Sequence, residues 1–477
     1  MNKLGRQRMV ALTARPRQRG VALLIILGVL VMGLLYVFLL GLNSTGSQQA
    51  RDKITMDALA QAKEALIAYA VTYSDTHSSD VPGYLPCPDN PTYGSSEGNA
   101  GSNCSGKNIS VIGKLPWKTL GLEPLRDGYG ECLWYAVSGS HKNNTSTDMM
   151  NWDTNGQLEV MSADNALLLA GITPDSRAVA VIFAPGPSLA GQNRAPSPGT
   201  PVCGGNYTAA NYLDSANGID NATISSVAGA LSRFISGAIV STVNDRLAYI
   251  APRDIFDAVQ RRSDFQANLN ALTQRVASCI ATYGNNNTVP GDRRVPGAAP
   301  ITLTNFLTNA SYSDNAPSAP LLSGRVPYKV SYSVSVPIKN NSLSSPYNLL
   351  TNAYCPSWGT FEDAWYRNWK DHLFYAVASS YSATATTPTT CGNCLQVNGT
   401  GQYAGIVIFA GRKLANQSRD TDTQKGNIGN YLEGRNYSNH PNSAGNSNYE
   451  KSLISTTFND TLYCVDNGTN LSANPCL

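Results

Sequence analysis

The side chains that most often carry out catalysis are sparse in this chain and poorly spaced for it. The 477 residues include four histidines, and these are His77, His141, His372 and His440. They make no H-x-x-x-H pair of the kind that zinc hydrolases use. Gly186-Pro-Ser-Leu-Ala-Gly191 follows an apolar run, but its G-x-S-x-x-G spacing differs from that of a nucleophile elbow and Pro187 stiffens the approach. We therefore predict a turn there, no catalytic residues, and a protein that is not an enzyme.

Cys391-Gly-Asn-Cys394 has the spacing of a redox motif. A thioredoxin-like site needs its first cysteine at the start of a helix that follows a strand. Pro388-Thr-Thr precedes this pair and Leu395-Gln-Val-Asn-Gly follows it, which is loop and strand sequence. We expect structural disulfides, either within the motif or with other partners. A four-cysteine zinc site would need a second close pair, which the sequence lacks.

The elements that position these residues begin with an apolar stretch of twenty-two residues, 21–42, that contains no charge. A helix of that length, at ~1.5 Å per residue, spans the ~30 Å hydrocarbon layer of a bilayer. The leader, residues 1–20, carries six cations and no acid. The positive-inside rule predicts a single pass through a bacterial inner membrane, with the C-terminal region periplasmic or surface-exposed after assembly.

The junction Arg17-Gln18-Arg19-Gly20-Val21 resembles the type III signal of type IV pilins and type II secretion pseudopilins. The resemblance implies that a prepilin peptidase cleaves after Gly20 and N-methylates Val21, and that other pilin or pseudopilin subunits are partners. Most members have Glu at the fifth mature position, where this chain has Ile25. The K-type minor pseudopilins, which cap an assembly, also lack that Glu. The resemblance therefore implies a minor subunit at a fibre tip rather than a repeating shaft subunit. A plain signal anchor and an ordinary cleaved signal peptide are the alternatives.

The same family suggests the one metal hypothesis. G-type pseudopilins bind calcium in a loop after the region that Asp420-Thr-Asp422 would occupy. Lys425 stands where an EF-type loop requires Gly, and the first half of the chain has no acids at this point. Asp420 and Asp422 are thus weak calcium candidates; a solvated turn is favoured, and no cofactor is expected.

Cysteine usage and charge agree with export. Ten cysteines, an even number, all follow the apolar stretch, and beyond a bacterial inner membrane that count favours disulfides. Cys87 and Cys104 bracket a loop that follows Pro82-Gly-Tyr-Leu-Pro-Cys-Pro-Asp-Asn-Pro91. The candidate cysteines, with pairing left open, are Cys87, Cys104, Cys391, Cys394, Cys464 and Cys476. Charged residues are 14% and the net charge is +3, of which the leader supplies six positive charges, so nothing indicates nucleic acid binding.

The second half of the sequence repeats the first. The helical stripe Leu59, Ala62, Leu66, Tyr69, Tyr73 recurs as Leu269, Leu272, Val276, Cys279, Tyr283. Four further matches follow in the same order, and they are Glu131–Val137 with Asp371–Val377, Val181–Ala184 with Val407–Ala410, Asn211–Asp214 with Asn430–Glu433, and Ser241–Leu247 with Thr456–Leu462. Each unit is predicted to be a helix packed on a mostly antiparallel sheet.

The predicted fold is therefore α+β. It consists of a leader (1–20), a transmembrane helix (21–42), a first helix-plus-sheet unit (43–252) and a second unit (253–477). The transmembrane helix either continues into the pilin-like helix or is joined to a separate helix by a short linker, since Gly41 and Gly46 lie at the joint. Asp127-Gly-Tyr-Gly130 and the residues after it look like the hairpin of G-type pseudopilins.

Two classes of function follow. The first is a minor pilin or pseudopilin-like structural subunit of a type IV pilus or type II secretion machinery. The second is a signal-anchored envelope protein, either a binding module or a hydrolase.

Overall fold

A computed structural model describes residues 21–142, 149–162, 164, 167–198, 200–237, 242–286, 290–314, 319–331, 347–352 and 355–477. For residues 21–29 and 33–45 the description covers the backbone alone. The leader, 1–20, lies outside the described residues.

Helix α1 (Val21–Thr76) is one helix of 56 residues. It continues past the apolar stretch, residues 21–42, and no proline lies within it. It continues through Arg51, Asp52 and Lys53, which are exposed or half-exposed and charged. Within the described residues, no helix is both long and apolar enough to cross a membrane. The predicted transmembrane helix over residues 21–42 is therefore wrong, and so is the single-pass inner-membrane localisation that depended on it.

Residues 55–477 form one compact unit. Its first sheet has four antiparallel strands in the order β1-β2-β5-β9. These strands are β1 (Val111–Lys114), β2 (Trp134–Val137), β5 (Ala180–Ala184) and β9 (Arg246–Ile250). A smaller sheet, in the order β4-β3-β8, is formed by β3 (Leu158–Ser162), β4 (Leu168–Ala170) and β8 (Ser232–Ser236).

The first sheet is covered on both faces. The face with Tyr135 and Ile182 shares a core with the α1 stripe, of which Leu66 is fully buried. The opposite face, with Trp134 and Phe183, packs with the smaller sheet. Burial on both faces explains why β5 is a continuous apolar run instead of an alternating one.

The second half contains the same arrangement. Its helix is α3 (Phe265–Asn285), which follows the short helix α2 (Pro252–Val259). Its sheet contains β10 (Ser323–Arg325), β13 (Leu373–Val377), β15 (Thr400–Phe409) and β17 (Thr461–Asp466), which pair in that order and antiparallel. The order equals that of β1, β2, β5 and β9, and the α3 stripe is buried. Both halves thus share one topology and one continuous core.

The strand pairing corrects one of the sequence matches. Tyr135 pairs with Ile182, whereas its counterpart Tyr375 pairs with Val407. Ile182 and Val407 are therefore equivalent, and the match of Val181 with Val407 is off by one residue. Similar apolar letters in two buried strands align equally well in either register, because no polar residue marks the position.

The remaining elements extend the second sheet or lie in loops. The second sheet also holds β14 (Leu395–Val397), β16 (Asn448–Tyr449) and β18 (Ala473–Pro475). Two small hairpin-like pairs are β6 (Ser215–Ala216) with β7 (Ile219–Asp220), and β11 (Lys329–Val330) with β12 (Tyr347–Asn348). The other helices are α4 (Thr360–Trp369), α5 (Asp422–Lys425) and α6 (Gly434–Asn439). The boundary between the halves, predicted at residues 252 and 253, falls at the start of α2.

Candidate functional site

The predicted processing site is only partly described. Gly20 lies outside the described residues. Val21 is the first residue of α1, and its side chain is outside the description.

The two calcium candidates lie in different settings. Asp420 Oδ1 is 3.6 Å from Lys413 Nζ, and the same ammonium group is 2.9 Å from Asp175 Oδ2. Asp422 is exposed and is the first residue of α5, which Thr421 caps. The ammonium group of Lys413 lies between Asp175 and Asp420, so Asp420 is already part of an ion pair. Asp422 is the first residue of a short helix.

All ten cysteines form disulfides. The pairs are Cys87–Cys104, Cys132–Cys203, Cys279–Cys355, Cys391–Cys394 and Cys464–Cys476. Four of these cysteines were not among the sequence candidates. Cys132 and Cys203 are 71 residues apart and Cys279 and Cys355 are 76 apart, so only the fold brings them together. The Cys391 pair closes on itself after a 3-10 turn and precedes a strand, away from any helix start.

Among the described residues, His141 lies beside a serine, Ser140. Ser140 Oγ lies 2.9 Å from His141 Nδ1, but Ser140 also donates to the Asn155 carbonyl at 2.8 Å. Desolvation lowers the pKa of His141 to about 3 and that of His440 to about 4, which leaves both rings neutral. His77 stacks on Tyr73 with ring centroids 3.9 Å apart.

The feature that the halves share most closely is a buried arginine in the loop after the third strand of each sheet. In the first half Arg194 donates from Nε to the Asn211 carbonyl at 3.0 Å, from Nη1 to the Gly186 carbonyl at 2.8 Å and from Nη2 to Gln192 Oε1 at 2.8 Å. Its guanidinium lies 4.9 Å from the centre of the Tyr212 ring.

Arg419 makes the same contacts in the second half. It donates from Nε to the Asn430 carbonyl at 2.5 Å, from Nη1 to the Gly411 carbonyl at 2.9 Å and from Nη2 to Gln417 Oε1 at 3.0 Å. Its guanidinium lies 4.2 Å from the centre of the Tyr431 ring. Each arginine therefore joins two loops of its own half through backbone carbonyls.

A pair of carboxyl groups accompanies each arginine. In the first half the Asp214 amide donates to Asp245 Oδ2 at 2.8 Å, and the Asn244 amide donates to Asp214 Oδ2 at 2.6 Å. Gln192 Nε2 donates to Asp214 Oδ1 at 2.9 Å, and Asn221 Nδ2 donates to Asp245 Oδ2 at 2.9 Å. The two acids thus hold the loop before β9 against the loop after β5.

The second half reproduces this pair with a longer side chain. The Glu433 amide donates to Asp460 Oδ2 at 3.2 Å, and the Asn459 amide donates to Glu433 Oε2 at 3.1 Å. Gln417 Nε2 donates to Glu433 Oε1 at 2.9 Å, and Asn436 Nδ2 donates to Asp460 Oδ2 at 3.0 Å. The sequence analysis matched the segments that hold the acids, but it did not match Gln417 or Asn436 and did not recognise one network. The signal was the recurrence of an acid and an Asn-Asp pair at matching places.

The electrostatics of the acid pairs are alike. Burial, and then the charge of Asp214, raise the pKa of Asp245 well above its ordinary value. Burial, and then the charge of Glu433, do the same for the pKa of Asp460. The other carboxyl oxygen of each aspartate, Oδ1 of Asp245 and Oδ1 of Asp460, is buried and has no hydrogen-bond partner. A proton shared within each pair removes the repulsion between two adjacent carboxylates.

Because these pKa values are raised, we expect the pairs to destabilise the fold as the pH rises. The folded state binds more protons than the unfolded state above the ordinary carboxyl pKa of about 3.9, so the free energy of unfolding falls by up to about 1.4 kcal/mol per pH unit for each pair, until the folded pKa is passed. Asp460→Asn and Asp245→Asn should flatten this slope, since an amide donates as the protonated acid does. Urea unfolding from pH 4.5 to 8 measures it.

The exposed Asp422→Asn is the matched control and should keep the slope of the unchanged protein. An equal slope in Asp460→Asn and Asp422→Asn would show that the pair does not retain a proton.

The halves differ in the acidic residue that forms an ion pair with the arginine. In the first half Arg194 Nη1 meets Glu131 Oε1 at 3.1 Å. In the second half a segment of the first half, around Asp153, is inserted at the corresponding place. Asp153 Oδ2 lies 3.2 Å from Arg419 Nη1 and 3.1 Å from His372 Nε2. Asn151 Nδ2, from the same segment, donates to Asp371 Oδ1 at 3.1 Å.

This cluster, Asp153, Asp371, His372, Arg419 and Lys425, joins the two halves. The first four side chains are between 0% and 2% exposed, and Lys425 Nζ lies 3.6 Å from Asp371 Oδ2. Burial by itself would raise the pKa of Asp153, but Arg419 and His372 outweigh it and hold that pKa below its ordinary value. Asp153 is therefore ionised across the neutral range.

Two cavities lie beside the cluster. A groove of about 880 Å³ runs between the halves, and its walls include Trp152, Tyr249, Arg412 and Lys413. A smaller cavity of about 320 Å³ is lined by Asp153, Arg419 and Lys425, among others. The second cavity gives solvent a route to the cluster.

Comparison of the chain with models of protein families, with curated proteins and with solved structures gives no match. The contacts themselves are those of a framework, in which polar side chains satisfy backbone groups and one another.

Proposed function

We propose that this chain is a non-enzymatic structural subunit of a pilin-like or pseudopilin-like assembly, and that its duplicated head is the part presented to other components. The observation that carries the proposal is the continuation of α1 from Val21 to Thr76, with only its residues from 55 onward belonging to the compact head. A continuous helix that begins at Val21 and contributes its later residues to the head is the arrangement that the Arg19-Gly20-Val21 junction leads one to expect.

The head supports a structural role. Its buried polar groups, Arg194 and Arg419 with their acid pairs, are bonded to backbone amides and carbonyls of neighbouring loops. Five disulfides add covalent links. Such bonds make loops rigid, and rigid loops suit a surface that must keep its shape against partner subunits.

A binding module is the second candidate, because of the groove of about 880 Å³ between the halves. Its charges are largely paired with one another: Lys413 bonds to Asp175 at 2.9 Å, and Arg412 bonds to Asp257. A groove whose charges are already neutralised favours an uncharged ligand over an anion or a cation. The structural role has the wider support, since it uses α1 as well as the head.

Mass spectrometry of the N-terminus tests the proposal. When the full chain is produced together with a prepilin peptidase, we expect the mature protein to begin with an N-methylated Val21, because the peptidase recognises the leader and the glycine. Gly20→Leu should retain the leader, since a bulky residue replaces the glycine at the scissile bond.

Gly5→Leu, which changes a leader glycine away from the junction, is the matched control and should be processed normally. An intact Met1 in the unchanged chain, or a terminus beyond residue 42, would remove the assembly role and leave the binding module.

A further inference from the structure

We propose that Asp153, Asp371 and His372 form a binding site for one divalent metal ion of the zinc class. These three side chains are fully or almost fully buried, and their ligand atoms all lie within 4.8 Å of one another. The inference stands apart from the assembly role, because it concerns the joint between the halves of the head.

The first step is the orientation of the imidazole. His372 Nδ1 lies 2.9 Å from the Ala410 carbonyl, and a carbonyl only accepts, so Nδ1 carries a proton. In the neutral ring Nε2 is then a bare lone pair. It faces Asp153 Oδ2 at 3.1 Å and Asp371 Oδ1 at 3.8 Å. Two carboxylate oxygens therefore converge on one ring nitrogen, while Arg419 pairs with the carboxylate of Asp153 and Lys425 with that of Asp371.

The spacing of these three atoms fits a metal ion. Zinc binds imidazole nitrogen and carboxylate oxygen at about 2.0–2.2 Å in a tetrahedron, which places neighbouring ligand atoms about 3.3 Å apart. The distances of 3.1 and 3.8 Å from Nε2 to the two oxygens bracket that value. Metal-binding histidines commonly donate their other nitrogen to a backbone carbonyl, as His372 donates to Ala410.

Two cationic side chains, Arg419 and Lys425, lie beside the site and determine how the ion can enter. Arg419 is held by carbonyl groups on its own half and stays in place. Lys425 is different, because its side chain is 16% exposed, lines the cavity of about 320 Å³ and reaches Asp371 Oδ2 only at 3.6 Å. The ammonium group of Lys425 can turn into that cavity when the ion arrives, and a water molecule from the same cavity can complete the tetrahedron. Lys425 and the metal therefore compete for Asp371.

The first half supplies an internal comparison. At the positions equivalent to Asp371 and His372 it has Glu131 and Cys132, and Cys132 is bonded to Cys203. Arg194 and its acid pair are retained there, but the nitrogen ligand is lost. The network that both halves share thus does not require the histidine, and His372 is an addition specific to the second half.

Zinc uptake by the full chain tests the site. After removal of metal, native mass spectrometry with added Zn²⁺ should show one ion per chain. His372→Gln should abolish this stoichiometric uptake. Lys425→Met should tighten it roughly tenfold or more, because a unit charge a few Å from the ion is removed. His77→Ala, at a half-exposed surface histidine, is the matched control and should bind as the unchanged chain does.

Cobalt gives a second measurement if His372→Gln does not fold. Co²⁺ should give the visible absorption of a tetrahedral site in the unchanged chain and lose it in Asp371→Asn, with unfolding midpoints recorded without metal for each variant. No zinc in either the unchanged chain or Lys425→Met, or equal uptake by His372→Gln, would overturn the site.

Discussion

Arg419→Met is expected to lower the free energy of unfolding by about 3–5 kcal/mol, the cost of leaving one buried partner of an ion pair without the other. The side chain of Arg419 is 0% exposed and that of its partner Asp153 is 2% exposed. Methionine fills most of the volume, so the loss reports the charge and the hydrogen bonds, not a cavity. Three backbone or amide acceptors lose their donor at the same time.

Arg194→Met is the matched comparison, because Arg194 makes the equivalent hydrogen bonds within the first half. Its ion-pair partner Glu131 is 27% exposed and can be hydrated when the arginine is removed. The expected cost is about 1–3 kcal/mol, that of unsatisfied hydrogen-bond acceptors. Urea unfolding of both variants, followed by circular dichroism, makes the measurement. Equal costs at the two sites would show that Asp153 adds nothing to the arginine network.

Much of the fold could be predicted from residues that repeat. The stripes Leu59 to Tyr73 and Leu269 to Tyr283 identified the two core helices, because helical spacing of apolar residues reflects burial directly. The sheets were placed by short apolar runs, since a strand covered on both faces has little alternation. The disagreement of one residue between Val181 and Val407 arises from the same cause: an apolar run carries no information about register.

The transmembrane prediction failed for a different reason. The prediction rested on the length of residues 21–42 and on their lack of charge. A continuing helix was itself one of the two predicted arrangements, and α1 does extend to Thr76, so the length of α1 is not the reason for the failure. The finding against the prediction is that no helix of the described residues is both long and apolar enough to cross a membrane.

The site was harder to predict than the fold because its parts are far apart in sequence. Asp153 meets Arg419 across 266 positions, and Asn151 meets Asp371 across 220. Each residue alone looks like an ordinary polar loop residue. The signal that could have found it is the recurrence of Gln192 and Arg194 as Gln417 and Arg419, a match that the sequence analysis did not make. Polar residues that recur at equivalent loop positions in both halves are candidates for a shared network.

The networks also bear on how the head works. In each half an arginine and an acid pair tie the loop after the third strand to the loop before the fourth. In the second half Asp153, which belongs to the first half, bonds to the arginine of this network. The joint between the halves is therefore made of directional polar bonds in addition to the apolar core, which fixes one orientation and one register of packing.

Removal of the Cys279–Cys355 disulfide should cost about 4 kcal/mol. The bond closes a loop of 76 residues, and a chain-entropy account of such a loop gives this size, because the unfolded chain gains the freedom that the cross-link had removed. Cys279 lies in the middle of the buried stripe of α3, and Cys355 precedes α4, so the bond ties the core helix to the segment that leads into the second sheet. The double variant Cys279→Ala with Cys355→Ala, unfolded in urea, measures the cost.

The pair Cys391–Cys394 is the control for that experiment, since it is separated by three residues and its cysteines are only partly buried. By the same entropy argument the variant Cys391→Ala with Cys394→Ala should cost about 2 kcal/mol. The order of the two losses is the test. A larger loss at Cys391–Cys394 would contradict the chain-entropy account of these two bonds.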